Sequence, residues 1–167
     1  MTEEVKRNYL EINSIKDLNE GIKPSEDYCL NLIDPINFQL NKFFYKNIGK
    51  KHRWVDRLIW DEQRWIDYVS SKKVKTYVLK NKDDLVGFFE LIFHHENKEV
   101  EIAYFGILEE YQNKKLGSYL LSEAIKRSFD ENVDRVWLHT CSLDHKNALN
   151  NYISRGMKIF KSEIVKI

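Results

Sequence analysis

The chain has 167 residues, the length of one ordinary domain with a single hydrophobic core, and we expect one domain over residues 1–167. Lysine and arginine number 27 against 26 aspartates and glutamates, so the weak overall field gives no support to a nucleic-acid-binding or membrane-surface protein. Cys29 and Cys141 lack ligand partners at metal-site spacing, which argues against a zinc site or disulfide scaffold and favours a cytoplasmic location. No secretory signal or membrane span is predicted.

The first half of the chain predicts one strand and two helices. Residues 8–13 are expected to form a strand, and the polar, turn-rich segment after it predicts no element. Asp34 and Pro35 are typical of a helix start, because aspartate accepts hydrogen bonds from free amides and proline suits the first helical position. A second helix is predicted from Asp61. The first helix ends at Gly49 and carries apolar residues on one face: Ile36, Leu40, Phe43, Phe44 and Ile48.

The second half alternates between strands and helices. Helical spacing extends from Gly117 to about Asp130, a strand covers 134–141, Asp144 is expected to cap a helix that ends at Arg155, and residues 158–167 form the last strand. Three earlier strands precede them, at 74–80, 85–93 and 99–107. This order predicts an α/β fold with a mixed, mostly antiparallel central sheet flanked by helices, and not a Rossmann fold.

The segment EEYQNKKLGSYLL, residues 109–121, joins an apolar strand to a helix. Free amides and the positive end of the helix dipole make such a junction suited to a phosphate group. Gly117 would let a ligand approach the backbone closely. From these residues alone, a solvated loop with a glycine required for packing explains the segment equally well.

The sequence Gln112-Asn113-Lys114-Lys115-Leu116-Gly117-Ser118 resembles the [QR]-x-x-G-x-[GA] turn of the GNAT superfamily of acyl-CoA-dependent N-acyltransferases. Before it, VEIAYFGIL is similar to the central strand of the family. After it, ALNNYISRGM resembles the segment A-x-x-x-Y-x-x-x-G-F, and the resemblance covers residues 74–167. Three residues depart from the pattern, because Lys115 replaces the first glycine, His145 a common asparagine and Met157 the usual phenylalanine.

The resemblance implies a GNAT-like fold with acetyl-CoA as co-substrate and no metal. The diphosphate of CoA would lie on the amides of the turn, and the pantetheine arm would pair with the strand edge where the central strands splay apart. The implied cofactor-binding residues are Phe105, Gly106, Ile107, Gln112, Asn113, Lys114, Lys115, Leu116, Gly117, Ser118, His145 and Ala148.

Two residues are candidates for acid–base catalysis of acetyl transfer. Glu101 interrupts an apolar strand, where burial would favour its protonated form and make it an effective base near neutral pH; some relatives carry a glutamate in a similar strand. Tyr152 resembles the tyrosine that faces the CoA sulfur in many family members and would protonate the departing thiolate. The alternatives are a solvated, lysine-paired Glu101 and a Tyr152 that only packs in the core.

A covalent mechanism through Cys141 is a weaker hypothesis. His139 and Asp144 flank this cysteine, but sequence neighbours rarely form a catalytic set, so we expect direct transfer without an enzyme intermediate. His139 is kept as a secondary base. His94 and His95 are expected on the surface.

The segment KKHRWVDRLIWDEQRW, residues 50–65, interleaves basic residues with tryptophans. This pattern suggests nucleic-acid stacking, but acidic residues interrupt the charge; core tryptophans covered by arginines are the alternative. In relatives this region lines the acceptor pocket, so Trp54 and Trp60 would form an apolar wall and Asp56 would hold a cationic amine. GNAT-like proteins with unassigned substrates have a similar W-x-D-R-x-x-W stretch.

The leading hypothesis is an N-acetyltransferase that transfers an acetyl group from acetyl-CoA to a primary amine of a small molecule or a protein, in a ternary complex. The alternatives are a catalytically silent acyl-CoA sensor and an interaction protein that keeps the fold without the ligand. Glu101 and Tyr152 favour the enzyme over the sensor, and Gln112 and Gly117 argue against the third hypothesis. No nucleic-acid or membrane partner is expected, and a homodimer is allowed.

Overall fold

The structure, a computed structural model, describes residues 3–166. Its strands are β1 Glu4–Ile12, β2 Tyr28–Leu32, β3 Val74–Asn81, β4 Asp84–His94, β5 Glu99–Ile107, β6 Arg135–Cys141 and β7 Lys158–Lys166. Its helices are α1 Phe38–Gly49, α2 Glu62–Ser70, α3 Leu116–Phe129 and α4 Ala148–Ser154. The strands form one sheet in the order β2-β3-β4-β5-β6-β1-β7. Only β5 and β6 pair in parallel among these strands, so the predicted mixed, mostly antiparallel sheet is confirmed.

Apolar side chains cover both faces of the central strands. On one face, α3 packs Leu120 and Ile125 into the larger cluster, which includes Phe89. On the other, Phe44 of α1 stacks on Phe88 with a ring-centroid distance of 5.0 Å. Because β4 is buried on both faces, its sequence is a continuous apolar run rather than an alternating one.

The parallel pairing of β5 and β6 is short. Only three residue pairs join the strands, and Glu101–Trp137 is the last of them. The register between β4 and β5 also shifts between Glu90 and Leu91, which marks a bulge in the sheet. Beyond Glu101 the two strands separate, so one edge of β5 lies free of β6 and a cleft opens there.

The first helix begins later than the sequence predicts. Asn37, not Asp34, is the N-cap of α1, and its side chain accepts a hydrogen bond from the Gln39 amide at 3.1 Å. Both residues are good caps, but the one next to the first helical turn satisfies the free amides. Ile36, predicted on the buried face of this helix, therefore lies before it and is exposed.

The helix predicted from Asp144 also begins later, at Ala148. The Asp144 carboxylate instead accepts hydrogen bonds from the Cys141 amide at 3.0 Å and from the Thr140 hydroxyl. The acid thus closes the turn after β6 instead of capping α4, because the nearest free donors are at the strand end.

The sequence did not predict β2, and it predicted only part of β1. β2 is only five residues long and its residues are half-buried or exposed; it pairs with β3, and Tyr28 and Leu30 pack against the larger cluster. The predicted end of the last strand, Ile167, lies outside the described residues. None of the helices in residues 3–166 combines the length and apolarity needed to cross a bilayer.

Candidate active site

The divergence of β5 and β6 opens a cavity of about 1230 Å³. Its walls come from these two strands, from the start of α3, from α4 and from the loop between α1 and α2. Every predicted cofactor-binding residue lines it except Lys114, which is exposed to solvent. The lining also contains the predicted catalytic and acceptor residues: Glu101, Tyr152, Trp54, Asp56 and Trp60.

The first turn of α3 is open toward the cavity. Lys115 is its N-cap in the left-handed conformation, with φ 62°, and no side chain caps the helix. A non-glycine residue in this conformation costs about 1 to 3 kcal/mol, so the chain retains a lysine where glycine would be easier. The positive side chain of Lys115 and the first amides of α3 together favour an anion at this point.

Gly117 leaves space beside this turn. A Cβ atom there would meet only the Asn151 amide nitrogen, at an ordinary contact distance of 3.5 Å. Neither packing nor backbone conformation within the protein requires glycine here, so the position can admit a ligand close to the main chain. The Asn151 side chain donates a hydrogen bond to the Gly117 carbonyl at 3.1 Å and links α4 to α3.

The turn is fixed to the free edge of β5. The Gln112 side-chain amide donates a hydrogen bond to the carbonyl of Ile107 at 3.2 Å. Gly106, one residue earlier, has a packing role, because a Cβ atom would come within 2.8 Å of Ile48 on α1. The turn before α3 and the strand edge are therefore held as one unit.

Tyr152 combines burial with access to the cavity. The residue is 7% exposed, and its ring lies edge-on to Phe105 with 6.4 Å between centroids. Burial, together with the negative charge of Asp144, raises the pKa of Tyr152 well above its usual value. The hydroxyl therefore stays protonated at neutral pH.

Glu101 lies at the point where β5 and β6 part. Its side chain is 20% exposed and therefore less buried than its apolar strand suggests. The Glu101 carboxylate lies 3.3 Å from Nε2 of His94, so its partner is a histidine and not a lysine. His94, predicted on the surface, is half-buried and stacks on Trp137. His95 is exposed, as expected.

The geometry disfavours Cys141 as a nucleophile. Burial raises the pKa of the Cys141 thiol, so the reactive thiolate is scarce at neutral pH. Asp144 is bound to the backbone of the turn and does not orient His139. Partial burial, with the charge of Arg7, lowers the pKa of His139, whose side chain is nevertheless exposed. Residues 3–166 contain no group of three or more acidic, His or Cys side chains placed to hold a metal.

A buried ion pair that the sequence did not predict lies next to the predicted acceptor residues, and Arg57, its cation, lines the cavity. Glu90 on β4 is fully buried, and its two oxygens accept hydrogen bonds from Nη1 of Arg57 at 2.9 and 3.2 Å. The Tyr68 hydroxyl donates to the same carboxylate at 2.7 Å, and the Asn41 amide at 2.8 Å. The signal in the sequence was one acid within an apolar run, but the run does not reveal its partner.

Aromatic rings surround the Arg57 guanidinium. Burial alone would lower the pKa of Arg57, but the charge of Glu90 raises it, so the side chain stays ionised. Ring centroids lie 4.2 to 5.7 Å from the guanidinium carbon. The five rings, which we call the aromatic cage, are Tyr45, Trp60, Trp65, Tyr68 and Tyr104. The prediction of tryptophans covered by arginine thus holds for part of the segment that also lines the cavity.

The loop between α1 and α2 contacts two other loops at the mouth of the cavity, one between β6 and α4 and one between β5 and α3. His52 donates from Nδ1 to the carbonyl of Leu143, between β6 and α4, at 3.1 Å. Lys51 forms an exposed ion pair with Glu109, between β5 and α3. The loop after α1 therefore bridges the two sides of the cleft.

Comparison with known proteins identifies the family. The model of the acetyltransferase (GNAT) family matches residues 38–157. The chain belongs to this family. The matched span contains the α3 turn, the point where the strands part and the aromatic cage of this GNAT protein. No curated protein matches its sequence.

Solved structures share the GNAT fold at low sequence identity. A protein of unknown function from Staphylococcus epidermidis is 19% identical, with a TM-score of 0.64 over 98% of this chain. A GCN5-related N-acetyltransferase from Sphaerobacter thermophilus is 14% identical, with a TM-score of 0.73 over 97% of this chain. This chain spans 61% and 50% of those two chains. A Bacillus subtilis acetyltransferase in complex with CoA is 19% identical, with a TM-score of 0.57 over 77% of this chain and 75% of its own.

Replacing Arg57 with methionine should lower the free energy of unfolding by about 3 to 5 kcal/mol, because Glu90 is left charged and unpaired in the interior. Adding Glu90→Gln should recover at least half of the loss, since glutamine is neutral and still accepts from Tyr68 or Asn41. Urea unfolding of the single and double variants measures both effects. As a control, Lys51→Met removes an exposed pair and should cost about 1 kcal/mol or less. If the stability losses of Arg57→Met and Glu90→Gln simply add in the double variant, the two side chains are not energetically coupled.

Proposed function

We propose that this GNAT protein is an N-acetyltransferase that transfers the acetyl group of acetyl-CoA to a primary amine of a small molecule or a protein. One observation carries the proposal: a single cavity joins the open start of α3, the free edge of β5 and an aromatic wall with two acidic side chains. Family membership supports the reaction class. The structural similarity to the Bacillus subtilis protein solved with CoA supports the choice of cofactor.

The cofactor would be held along β5 and α3. The amides of residues 116–118 and the side chain of Lys115 would bind the diphosphate, and Gly117 leaves it room. The free edge of β5 at Phe105 and Ile107 would pair with the amide groups of the pantetheine arm. His145 and Ala148 border the same channel. When bound, the cofactor supplies the acetyl thioester.

The acceptor would enter from the side of the loop after α1. Trp54 and Trp60 give an apolar wall, and Asp56 and Glu101 provide negative charge for an ammonium group. Glu101 takes a proton from the amine, which allows nitrogen to form the new bond to the acetyl carbon. His94 lies behind Glu101 and is partly open to solvent, so it can receive that proton.

The departing sulfur needs a proton at the other side of the reacting centre. The protonated hydroxyl of Tyr152 supplies it as the carbon–sulfur bond breaks. The raised pKa of the Cys141 thiol favours direct attack by the amine over an acyl-enzyme. Both cysteines are free thiols, which supports a cytoplasmic location for the reaction.

Two measurements test the proposed function. Calorimetry with acetyl-CoA should detect binding, and a thiol-release assay should detect turnover with at least one amine among spermidine, tyramine, sisomicin and a lysine-containing peptide. Binding without thiol release for the whole panel would favour the acyl-CoA sensor. Absence of binding at millimolar acetyl-CoA would refute both.

Gly117→Asp should reduce acetyl-CoA affinity by about tenfold or more, because it places a negative charge where the diphosphate would bind. The same charge at the start of α3 should leave stability unchanged or raise it by about 0.3 to 1 kcal/mol. Gly117→Asn, similar in size but neutral, is the matched control and should lose much less affinity. Equal affinities for the two variants, measured by calorimetry, would place the diphosphate elsewhere.

Tyr152→Phe should lower kcat by about a hundredfold without changing the Kd of acetyl-CoA, because only the proton donor is removed. Tyr119→Phe is the control: this tyrosine of α3 is also buried and has its pKa raised to about 12, but it does not line the cavity. Steady-state kinetics and calorimetry separate the two effects. An unaltered kcat in Tyr152→Phe would exclude this residue from the mechanism.

Glu101→Gln should slow the reaction most at low pH. There the acceptor is mainly an ammonium ion and needs a base; well above the amine pKa the acceptor is already neutral, so the deficit should shrink. Glu99→Gln, on the same strand and bonded to Arg135 at 2.9 Å, serves as the control. Parallel pH–rate profiles for Glu101→Gln and the unaltered protein would rule out Glu101 as the base.

A further inference from the structure

The loop of residues 50–61 carries all three predicted acceptor residues without regular secondary structure. Its aliphatic side chains do not pack against the rest of the protein: Val55, Leu58 and Ile59 are 53%, 54% and 85% exposed. Arg57 is different: it is 6% exposed, and its backbone amide donates to the hydroxyl of Tyr45 on α1 at 2.9 Å. The loop is therefore anchored through a buried cation in its middle.

The site that receives Arg57 has the chemistry of a receptor for organic cations. Several aromatic faces surround a position beside the carboxylate of Glu90, an arrangement that attracts guanidinium and ammonium groups. The guanidinium of the protein itself fills that position. An acceptor ammonium is thus kept out of the aromatic cage and must lie nearer Asp56 and Glu101, which face the cavity.

Burying Arg57 and Glu90 costs desolvation free energy, and the pair need not make the protein more stable overall. A buried ion pair is often no more stabilising than apolar side chains of similar volume, so its contribution is better sought in the geometry it imposes. Asp56 precedes Arg57 directly, and Trp60 both lies against the guanidinium at 4.8 Å and lines the cavity. Movement of Arg57 would displace both of these acceptor residues.

We propose that Arg57 is a positioning residue for the amine acceptor: by filling the aromatic cage beside Glu90, it fixes Asp56 and Trp60 at the cavity wall. This inference rests on the proposed function, because it assigns the acceptor to this end of the cavity. Arg57 does not itself contact the reacting atoms in this role. The cofactor end, at the start of α3, should be unaffected by its loss.

The chain offers a matched control. Arg64 on α2 also lies over the ring of Trp60, at 4.7 Å from its centroid. It is exposed and has no contact with Glu90 among the hydrogen bonds and ion pairs of residues 3–166. Arg64→Ala therefore removes a cation from the same tryptophan without emptying the aromatic cage.

Kinetics with the amine of the panel that turns over fastest provide the first test. Arg57→Ala should raise the KM for that amine by about tenfold or more while the Kd of acetyl-CoA stays unchanged. Millimolar guanidinium chloride should restore the KM of Arg57→Ala, because the free ion can enter the empty aromatic cage. It should have no such effect on Arg64→Ala, whose KM should equal that of the unaltered protein.

Hydrogen exchange provides a second test that needs no acceptor. The variant for this test is Arg57→Lys, which can be used if Arg57→Ala does not fold. It keeps a positive charge beside Glu90 but loses the planar, forked contact of the guanidinium. Amides of residues 54–60 should exchange faster in Arg57→Lys, while those of α3 and β5 stay unchanged.

Exchange rates in residues 54–60 that match the unaltered protein, or an equal rise of KM in Arg64→Ala, would overturn the inference. A change of kcat and acetyl-CoA Kd in place of the amine KM would overturn it as well. If the unaltered protein acetylates no amine of the panel, the proposed function fails, and hydrogen exchange still decides whether Arg57 holds the loop.

Discussion

The site depends on the early end of the pairing between β5 and β6. Three residue pairs join the two strands, and after Glu101 the strands separate. A sheet that continued to pair would satisfy the backbone of β5 internally and would leave no cleft. Because it does not, hydrogen-bonding groups of the free edge face a cavity, where an extended ligand with amide groups can satisfy them. The side chains of Glu101, at the fork, and Tyr152, on α4, meet the same space.

The two ends of this cavity differ in their electrostatics. At the start of α3, uncapped amides, the helix dipole and Lys115 create a local preference for an anion in a chain whose formal charge is only +1. At the other end, Arg57 and Glu90 cancel each other in the aromatic cage. Under the proposed function, the negative charge next to this end of the cavity would come from Asp56 and Glu101. Both acids have the sign that suits an ammonium group.

Local patterns predicted the elements around the cleft. The three strands from residue 74 onward are marked by apolar runs, α3 has a clear apolar period, and the turn from Gln112 to Ser118 stood out by its resemblance to the GNAT family. Helix starts were harder, because Asp34 and Asn37 are equally good caps and only the folded chain selects one. The edge strand β2 was missed because it is only five residues long and lies within a polar, turn-rich segment, although Tyr28 and Leu30 pack against the core.

The tertiary partners of individual side chains could not be predicted in the same way. Glu90 was visible as an acid in an apolar run, but nothing in the sequence selected Arg57 as its partner from the many cations of the chain. The contact of Glu101 with His94 had the same limitation, because a lysine partner was equally compatible with the pattern. Such pairs are set by which segments the fold brings together.

The hydrogen bond from Asn151 to the Gly117 carbonyl fixes α4 against the start of α3, and under the proposed function this would restrict which acyl carriers fit. Asn151 and Tyr152 are consecutive on α4, so the helix end that would seat the nucleotide and the phenol that would meet the sulfur keep a fixed separation. That separation would match only a thiol arm of one length between them. A carrier with a shorter or longer arm, even one with the same nucleotide, would present its sulfur out of register with the phenol.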